Sequence, residues 1–349
     1  MLWIFCSKKC RTADHSNYYF HSEVLLRSSK TEDLVDGVRE GDVRSLARVL
    51  TMVENGHPLS HSIMHSLYDP DRKGLTVGVT GPPGAGKSTL TSRLIDNWRK
   101  KGNRVGVIAV DPSSPFSGGA LLGDRVRMQS HASDPKVFIR SMGSRGHLGG
   151  VSAATRDGLE VLSSAGFDPV IVETVGVGQA EVEIASLADI TLLVLVPGLG
   201  DEVQTMKAGI MEIGDVIVLN KSDRAGIDML ETAVRASLEL IPHGQRKPAV
   251  VRCSAQTGEG MEELREEIAK FVSQRFKREE MARRRTSLIL GSIIQEKGRE
   301  IAGAIISDEY GGRDEAVESI LSGDTTPYGI GLMITEYMRK NGLDPDNAE

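Results

Sequence analysis

The sequence predicts a doubly wound α/β domain built on a mostly parallel sheet, with helical extensions at both ends. Three observations predict it. Short Val- and Ile-rich runs without period-two alternation recur between residues 75 and 252, as strands buried on both faces require. Helix-patterned segments separate them, which imposes right-handed crossovers between parallel strands. A glycine-rich turn, Gly81-Pro-Pro-Gly-Ala-Gly-Lys-Ser-Thr89, directly follows the first run and opens a helix pattern.

The 349 residues are 40% apolar and 26% charged, enough for one large domain with appendages. A net charge of −6 supplies no global attraction for nucleic acid or anionic membrane, and 4% aromatic content offers few stacking platforms for single strands. Three cysteines, Cys6, Cys10 and Cys253, make no disulfide framework and suit a reducing cytosol, so a cytoplasmic location is expected. No apolar run reaches the ~18 residues of a membrane span. The stretch Met1–Cys6 is too short for the apolar core of a signal peptide. Residues 1–30 lack periodicity and read as a disordered-looking extension.

From Thr31 the pattern turns helical, with Leu34, Val35, Val38, Val43, Leu46, Ala47, Val49 and Leu50 near three-to-four spacing. Pro58 precedes a second helix, Ser60–Tyr68, completing an N-terminal unit over 31–72. The sheet domain is expected over 73–275. Its strands are Thr76–Thr80, Val105–Val110, Val137–Arg140, Val170–Glu173, Ile190–Val196, Asp215–Asn220 and Ala249–Cys253. Ligands of such a sheet bind outside the carboxyl ends of its strands. Beyond Gly258, Met261–Arg285 reads as a charged helix with Leu264, Ile268, Phe271 and Val272 on one face. A helix over Ser287–Ile306 is expected to break at Gly311-Gly312, and a last one covers Tyr328–Arg339. Residues 276–349 have little core of their own, so this arm packs on the main domain or on a second subunit.

The turn Gly81–Thr89 is a phosphate-binding loop. Its glycines let backbone N–H groups close around phosphates, and the helix start adds its positive dipole end. Lys87 would neutralise the β- and γ-phosphates and Ser88 would ligate Mg²⁺. Asn220-Lys-Ser-Asp223 ends a later strand; a carboxylate there accepts paired N–H bonds from guanine N1 and N2, which adenine lacks. Asn220 and Lys221 would steady that loop and pack over the base, and Ser254-Ala255-Gln256 would complete the pocket through backbone N–H groups. GTP is therefore preferred over ATP.

Glu173 ends the fourth strand, where a carboxylate holds Mg²⁺ through water, and the amide of Gly176 can meet the γ-phosphate. Gly176-Val-Gly-Gln179 supplies a loop able to report loss of that phosphate, with Gln179 a candidate for orienting water or simply solvated. Asp111 emerges at the end of the second strand, a candidate for Mg²⁺ or the attacking water, the alternative being a turn cap before Pro112. Asp124 is a candidate for the same work or for pairing with Arg127. The loop Pro197–Lys207 reads either as a third switch, with Lys207 answering phosphate charge, or as a connection whose Asp201 caps a helix. His57, His61 and His65 recur every four residues on what reads as one helical face; without a Cys pair or HExxH they read as packing or solvated histidines. Cys6 and Cys10 are discounted as ligands in the same way. Arg283-Arg-Arg285 reads as a solvated helix face.

Taken in order, "GPPGAGKST", "VDPSSPFSGGALLGDRVRM", "GHLGG", "ETVGVGQAE", "PGLGDEVQTMKAGI" and "NKSD" resemble the MeaB/ArgK-type GTPases over about residues 31–340. The resemblance implies a SIMIBI-class GTPase fold with helical extensions, dimerising through the C-terminal arm. It implies a GTP-hydrolysing chaperone for an adenosylcobalamin-dependent acyl-CoA mutase, usually methylmalonyl-CoA mutase, whose cofactor loading it gates and which it protects. The matching strings carry GTP/GDP binding onto Gly81, Pro82, Pro83, Gly84, Ala85, Gly86, Lys87, Ser88, Thr89, Asn220, Lys221, Asp223, Ser254, Ala255 and Gln256. They carry Mg²⁺ and switch roles onto Ser88, Asp111, Asp124 and Glu173, and a third switch onto the loop of Lys207. Adenosylcobalamin would belong to the partner mutase. Slow intrinsic turnover, stimulated by the partner, is expected because no arginine other than Arg145 is placed as an internal finger. The competing readings are a kinase or ATPase of amino-acid transport, which Asp223 disfavours, and a nickel-insertion GTPase, which would need Cys/His ligands near the site.

Overall fold

A computed structural model describes residues 29–70, 74–112, 129–131, 133–144, 153–174, 180–198, 211, 213–241, 247–275 and 278–340. Its centre is a seven-stranded sheet in the order β3-β2-β4-β1-β5-β6-β7, every pair parallel. The strands are β1 (Thr76–Thr80), β2 (Val105–Pro112), β3 (Val137–Ser144), β4 (Val170–Thr174), β5 (Ile190–Leu195), β6 (Val216–Leu219) and β7 (Ala249–Arg252). The doubly wound α/β class expected from the apolar runs is the observed one. Six of the seven expected strands differ from it only at their ends, the largest change being four further residues on β3.

The helices before and between the strands are α1 (Ser29–Glu40), α2 (Val43–Glu54), α3 (Ser60–Leu67), α4 (Lys87–Lys100), α5 (Ala153–Ser164), α6 (Ala180–Leu187) and α7 (Ile227–Glu239). They are followed by α8 (Met261–Arg275), α9 (Arg278–Tyr310), α10 (Arg313–Leu321) and α11 (Pro327–Lys340). The pattern starting at Thr31 resolves into two helices rather than one. Gly41 takes φ 76°, a left-handed turn, and Asp42 restarts the chain as the N-cap of α2, its Oδ2 accepting from Ser45 N at 2.8 Å.

Strand alternation decides which helix covers which face. Val77, Val79, Ile171, Leu192 and Val194 join Leu90 and Leu94 of α4 and Leu264 and Ile268 of α8 in one buried cluster. The alternate residues Val170 and Val172 join Val38, Leu46, Leu50 and Ile63 of the N-terminal helices and Leu159 of α5. Leu193, Leu195, Ile217 and Leu219 meet Leu230 and Val234 of α7. Full burial of each such side chain is worth roughly 1.5–3 kcal/mol, so α1–α3 are held by the same apolar cluster as the sheet face.

The chain divides into two compact units, Met1–Arg285 and Thr286–Glu349. The second is helical, with Ile305, Ala316 and Ile330 buried while Leu290, Ile294, Leu321, Tyr328 and Leu332 are exposed. The break expected at Gly311-Gly312 separates α9 from α10, and α10 itself went unforeseen. The helix expected over Met261–Arg285 ends instead at Arg275, and one helix, α9, takes in both the last residues of that stretch and the segment expected as Ser287–Ile306. Among the described residues, no helix is long and apolar enough to cross a membrane.

Candidate functional site

The inserted position of β4 between β1 and β2 brings three chemistry-bearing strand ends together. From β1 the chain runs to β2 and β3, returns to β4, and then crosses to β5 on the other side of β1. The crevice at the carboxyl ends lies where that winding reverses, the place where open α/β sheets bind ligands.

β1 turns through Gly81–Gly86 into α4. At Gly81 the backbone φ is 138°, and a Cβ would sit 2.2 Å from Val194 O; at Gly86, with φ 87°, it would sit 2.6 Å from Asn220 Nδ2. Only glycine admits these approaches of β5 and of Asn220 to the loop. No side chain caps the first turn of α4, which leaves its amides to an anion. Lys87 is 5% exposed, and its Nζ donates to Gly81 O at 2.7 Å and Pro82 O at 3.0 Å. The ammonium is thus held within the loop, where it can exchange carbonyl partners for phosphate oxygens.

On the adjoining strand Glu173 is 3% exposed, and the Ser88 hydroxyl donates to its Oε1 at 2.7 Å. A hydroxyl and a carboxylate this close form a hard-oxygen donor pair, which fits Mg²⁺. Asp111 is the last residue but one of β2, in register with Gly143 of β3, and its backbone lies at that same carboxyl end of the sheet. The Asp111 side chain, and all of Asp124, Arg145, Gly176, Gln179, Asp201 and Lys207, lie outside the described residues.

The residues expected to form the base pocket make a connected network. Asn220, 2% exposed, donates from Nδ2 to Ala85 O at 2.8 Å, while its Oδ1 accepts from Ala255 N at 3.0 Å. The Ala255 amide, expected to face a base, is therefore engaged by Asn220 here. Lys221 adopts φ 60°, and its Nζ donates to Gly84 O at 2.7 Å. Burial, with Arg224 nearby, pushes its ammonium pKa down from the usual lysine value. Asp223 is exposed, and a hydrogen bond from the fully buried Ser254 holds its carboxyl below the usual range, so it is ionised at neutral pH. Ser254 Oγ also accepts from Thr257 N at 3.2 Å.

Sequence reasoning missed two residues on α4. Arg93 donates from Nε to Ala255 O at 2.8 Å and from Nη2 to Gln256 O at 2.7 Å. Ser92 Oγ lies 2.8 Å from Nε2 of the buried His131, whose Nδ1 is 3.9 Å from Asp96 Oδ1. Their partners sit far away in sequence or are backbone carbonyls, so no local motif marks them. Arg285 corrects the reading of a solvated arginine run: its side chain is 11% exposed, Nη2 donates to Pro70 O at 3.2 Å, and Nε is 3.9 Å from Glu160. Nor does His57 share a helix with His61 and His65. It precedes α3, where its Nδ1 accepts from Leu59 N at 3.2 Å. Among the described residues no group of three His, Cys, Asp or Glu side chains is placed to hold a metal.

The sequence matches the family described as "Methylmalonyl Co-A mutase-associated GTPase MeaB" over residues 46–300. It is 43% identical to a putative GTPase of Pyrococcus abyssi over 320 residues, 89% of this chain and 98% of the relative. It is 36% identical to the mouse "Methylmalonic aciduria type A homolog, mitochondrial" over 291 residues, 76% of this chain and 69% of that protein. A crystal structure described as a LAO/AO transport system kinase superposes with a TM-score of 0.65 at 26% identity, covering 89% of this chain and 98% of that one.

Proposed function

Because the chain belongs to the MeaB family of P-loop GTPases, we propose that its GTP cycle gates adenosylcobalamin loading into methylmalonyl-CoA mutase or a related B12-dependent acyl-CoA mutase, and protects or reactivates that enzyme. The family's description and the name of the mouse relative support the client. The single observation that carries the choice of nucleotide is Asp223, an exposed carboxylate whose pKa hydrogen bonding from Ser254 lowers further, at the strand end beside the phosphate loop. A transport-kinase reading, drawn from the name of the similar structure, accounts for no such carboxylate.

In this reading Asp223 accepts N1–H and N2–H of guanine, and Lys221 and Asn220 brace the loop beneath it. Lys87 releases Gly81 O and Pro82 O to take the β- and γ-phosphates. Ser88 and Glu173 hold Mg²⁺, with Asp111 and Asp124 proposed to join them; the ion, when bound, neutralises charge developing on the transferred phosphoryl group. Gly176 meets the γ-phosphate, Gln179 orients water, and the loop of Lys207 relays the nucleotide state to the client. The protein works as a homodimer through its C-terminal arm, a role that the exposed Leu290, Ile294, Leu321 and Leu332 support.

Turnover of GTP and ATP, with and without purified mutase, tests the proposal. GTP should exceed ATP by at least ~100-fold in kcat/KM, the mutase should raise kcat for GTP, and Asp223→Ala should collapse the GTP preference. A GTPase that neither binds nor responds to any B12-dependent acyl-CoA mutase would refute the client assignment.

A further inference from the structure

We propose that Arg93, on the helix that follows the phosphate loop, is a positioning residue for guanine selection, acting through two peptide planes on Ser254 and Asp223. The inference rests on the guanine reading of Asp223 and extends it to a residue of α4.

In a trans peptide, C=O and the following N–H share one plane and point in opposite directions. Arg93 Nε holds Ala255 O at 2.8 Å and so fixes the plane carrying the Gln256 amide. Arg93 Nη2 holds Gln256 O at 2.7 Å and fixes the plane carrying the Thr257 amide. That second amide is the one donated to Ser254 Oγ at 3.2 Å. Ser254 in turn hydrogen-bonds the Asp223 carboxylate, the leading cause of that group's lowered pKa. The rigid guanidinium fork thus sets two consecutive peptide orientations at once, which a single ammonium cannot do.

The same contacts close a ring through the phosphate loop. Ala255 is gripped on its carbonyl by Arg93 and on its amide by Asn220 Oδ1 at 3.0 Å, and Asn220 Nδ2 returns to Ala85 O at 2.8 Å. Ala85 and Arg93 belong to the continuous loop-and-helix segment of the phosphate site. Base loop and phosphate loop are therefore braced from both sides.

The test compares GTP with ITP, which lacks only the 2-amino group that Asp223 would recognise, in wild type, Arg93→Lys and Arg93→Gln. Wild type should prefer GTP. In Arg93→Gln the KM for GTP should rise about tenfold, the order expected for losing a charge-assisted hydrogen bond, with the effect on KM rather than kcat and the GTP-to-ITP ratio falling toward one. Arg93→Lys should recover part of the ratio. A merely structural role would weaken GTP and ITP equally and leave the ratio intact, and that result in either folded variant overturns the proposal. A wild type indifferent to GTP and ITP would instead defeat the underlying guanine reading of Asp223, and the Arg93 proposal with it.

Discussion

Ser88 and Glu173, 85 residues apart in the chain, are joined by a hydrogen bond of 2.7 Å from the serine hydroxyl to Oε1. The contact exists because β4 lies directly beside β1, with Val79 in register with Glu173. It links the first turn of the phosphate-loop helix to the strand expected to carry the metal-binding carboxylate.

Glu173→Gln keeps the shape but removes the charge. It should lower GTP hydrolysis by about 100-fold or more and raise the Mg²⁺ concentration needed for half-maximal rate. Glu173→Asp withdraws the carboxylate from Ser88 by one methylene and should fall between the two. Steady-state rates across a Mg²⁺ titration provide the check.

Arg99 grips Asp134 through Nε to Oδ2 at 2.8 Å and Nη2 to Oδ1 at 3.3 Å, tying the end of α4 to the turn before β3. The Arg99 hydrogen bond, helped by Lys136 N, lowers the Asp134 pKa from its usual 3.8. A depressed carboxylate pKa contributes stability that is present above the unfolded value and lost as pH falls through the folded one. Asp134→Asn should therefore be less stable than wild type at pH 7, with the gap closing below about pH 3.8. Urea unfolding at a series of pH values measures it.

Gly158 lets α5 sit close against both β2 and α2. A Cβ there would meet Ile108 Cδ1 at 2.9 Å, Met142 Sδ at 3.2 Å and Leu50 Cδ2 at 3.4 Å. Gly158→Val should destabilise the first unit by about 1–3 kcal/mol through overpacking, read as a lower denaturation midpoint.

Cys253 is fully buried against Asn220 and Ser222, and burial pushes its thiol pKa up to about 12. It should resist alkylation at pH 8 in the folded protein and react once the protein is unfolded. Peptide mass mapping after brief iodoacetamide treatment would show modification at Cys253 under native conditions if this account were wrong.

Much of this was legible in the sequence because its determinants are local. Two-face burial makes continuous Val and Ile runs, so β1, β4 and β5 could be read off directly. The phosphate loop needs glycines within a short span, and Asp223, expected to read the base, follows its strand by a few residues. Glu173 was placed by the same logic, and it stands one residue before the end of β4. What only the tertiary structure decided are contacts whose partners carry no distinctive letter. Arg93 binds carbonyls at 255 and 256, and every residue type has a carbonyl. Arg285, read as solvated, is mostly covered against Pro70 and Glu160 because the fold brings those distant segments to it. Strand order likewise escapes a linear pattern: the insertion of β4 between β1 and β2 sets the Ser88–Glu173 pair, and it arises from packing of the whole sheet.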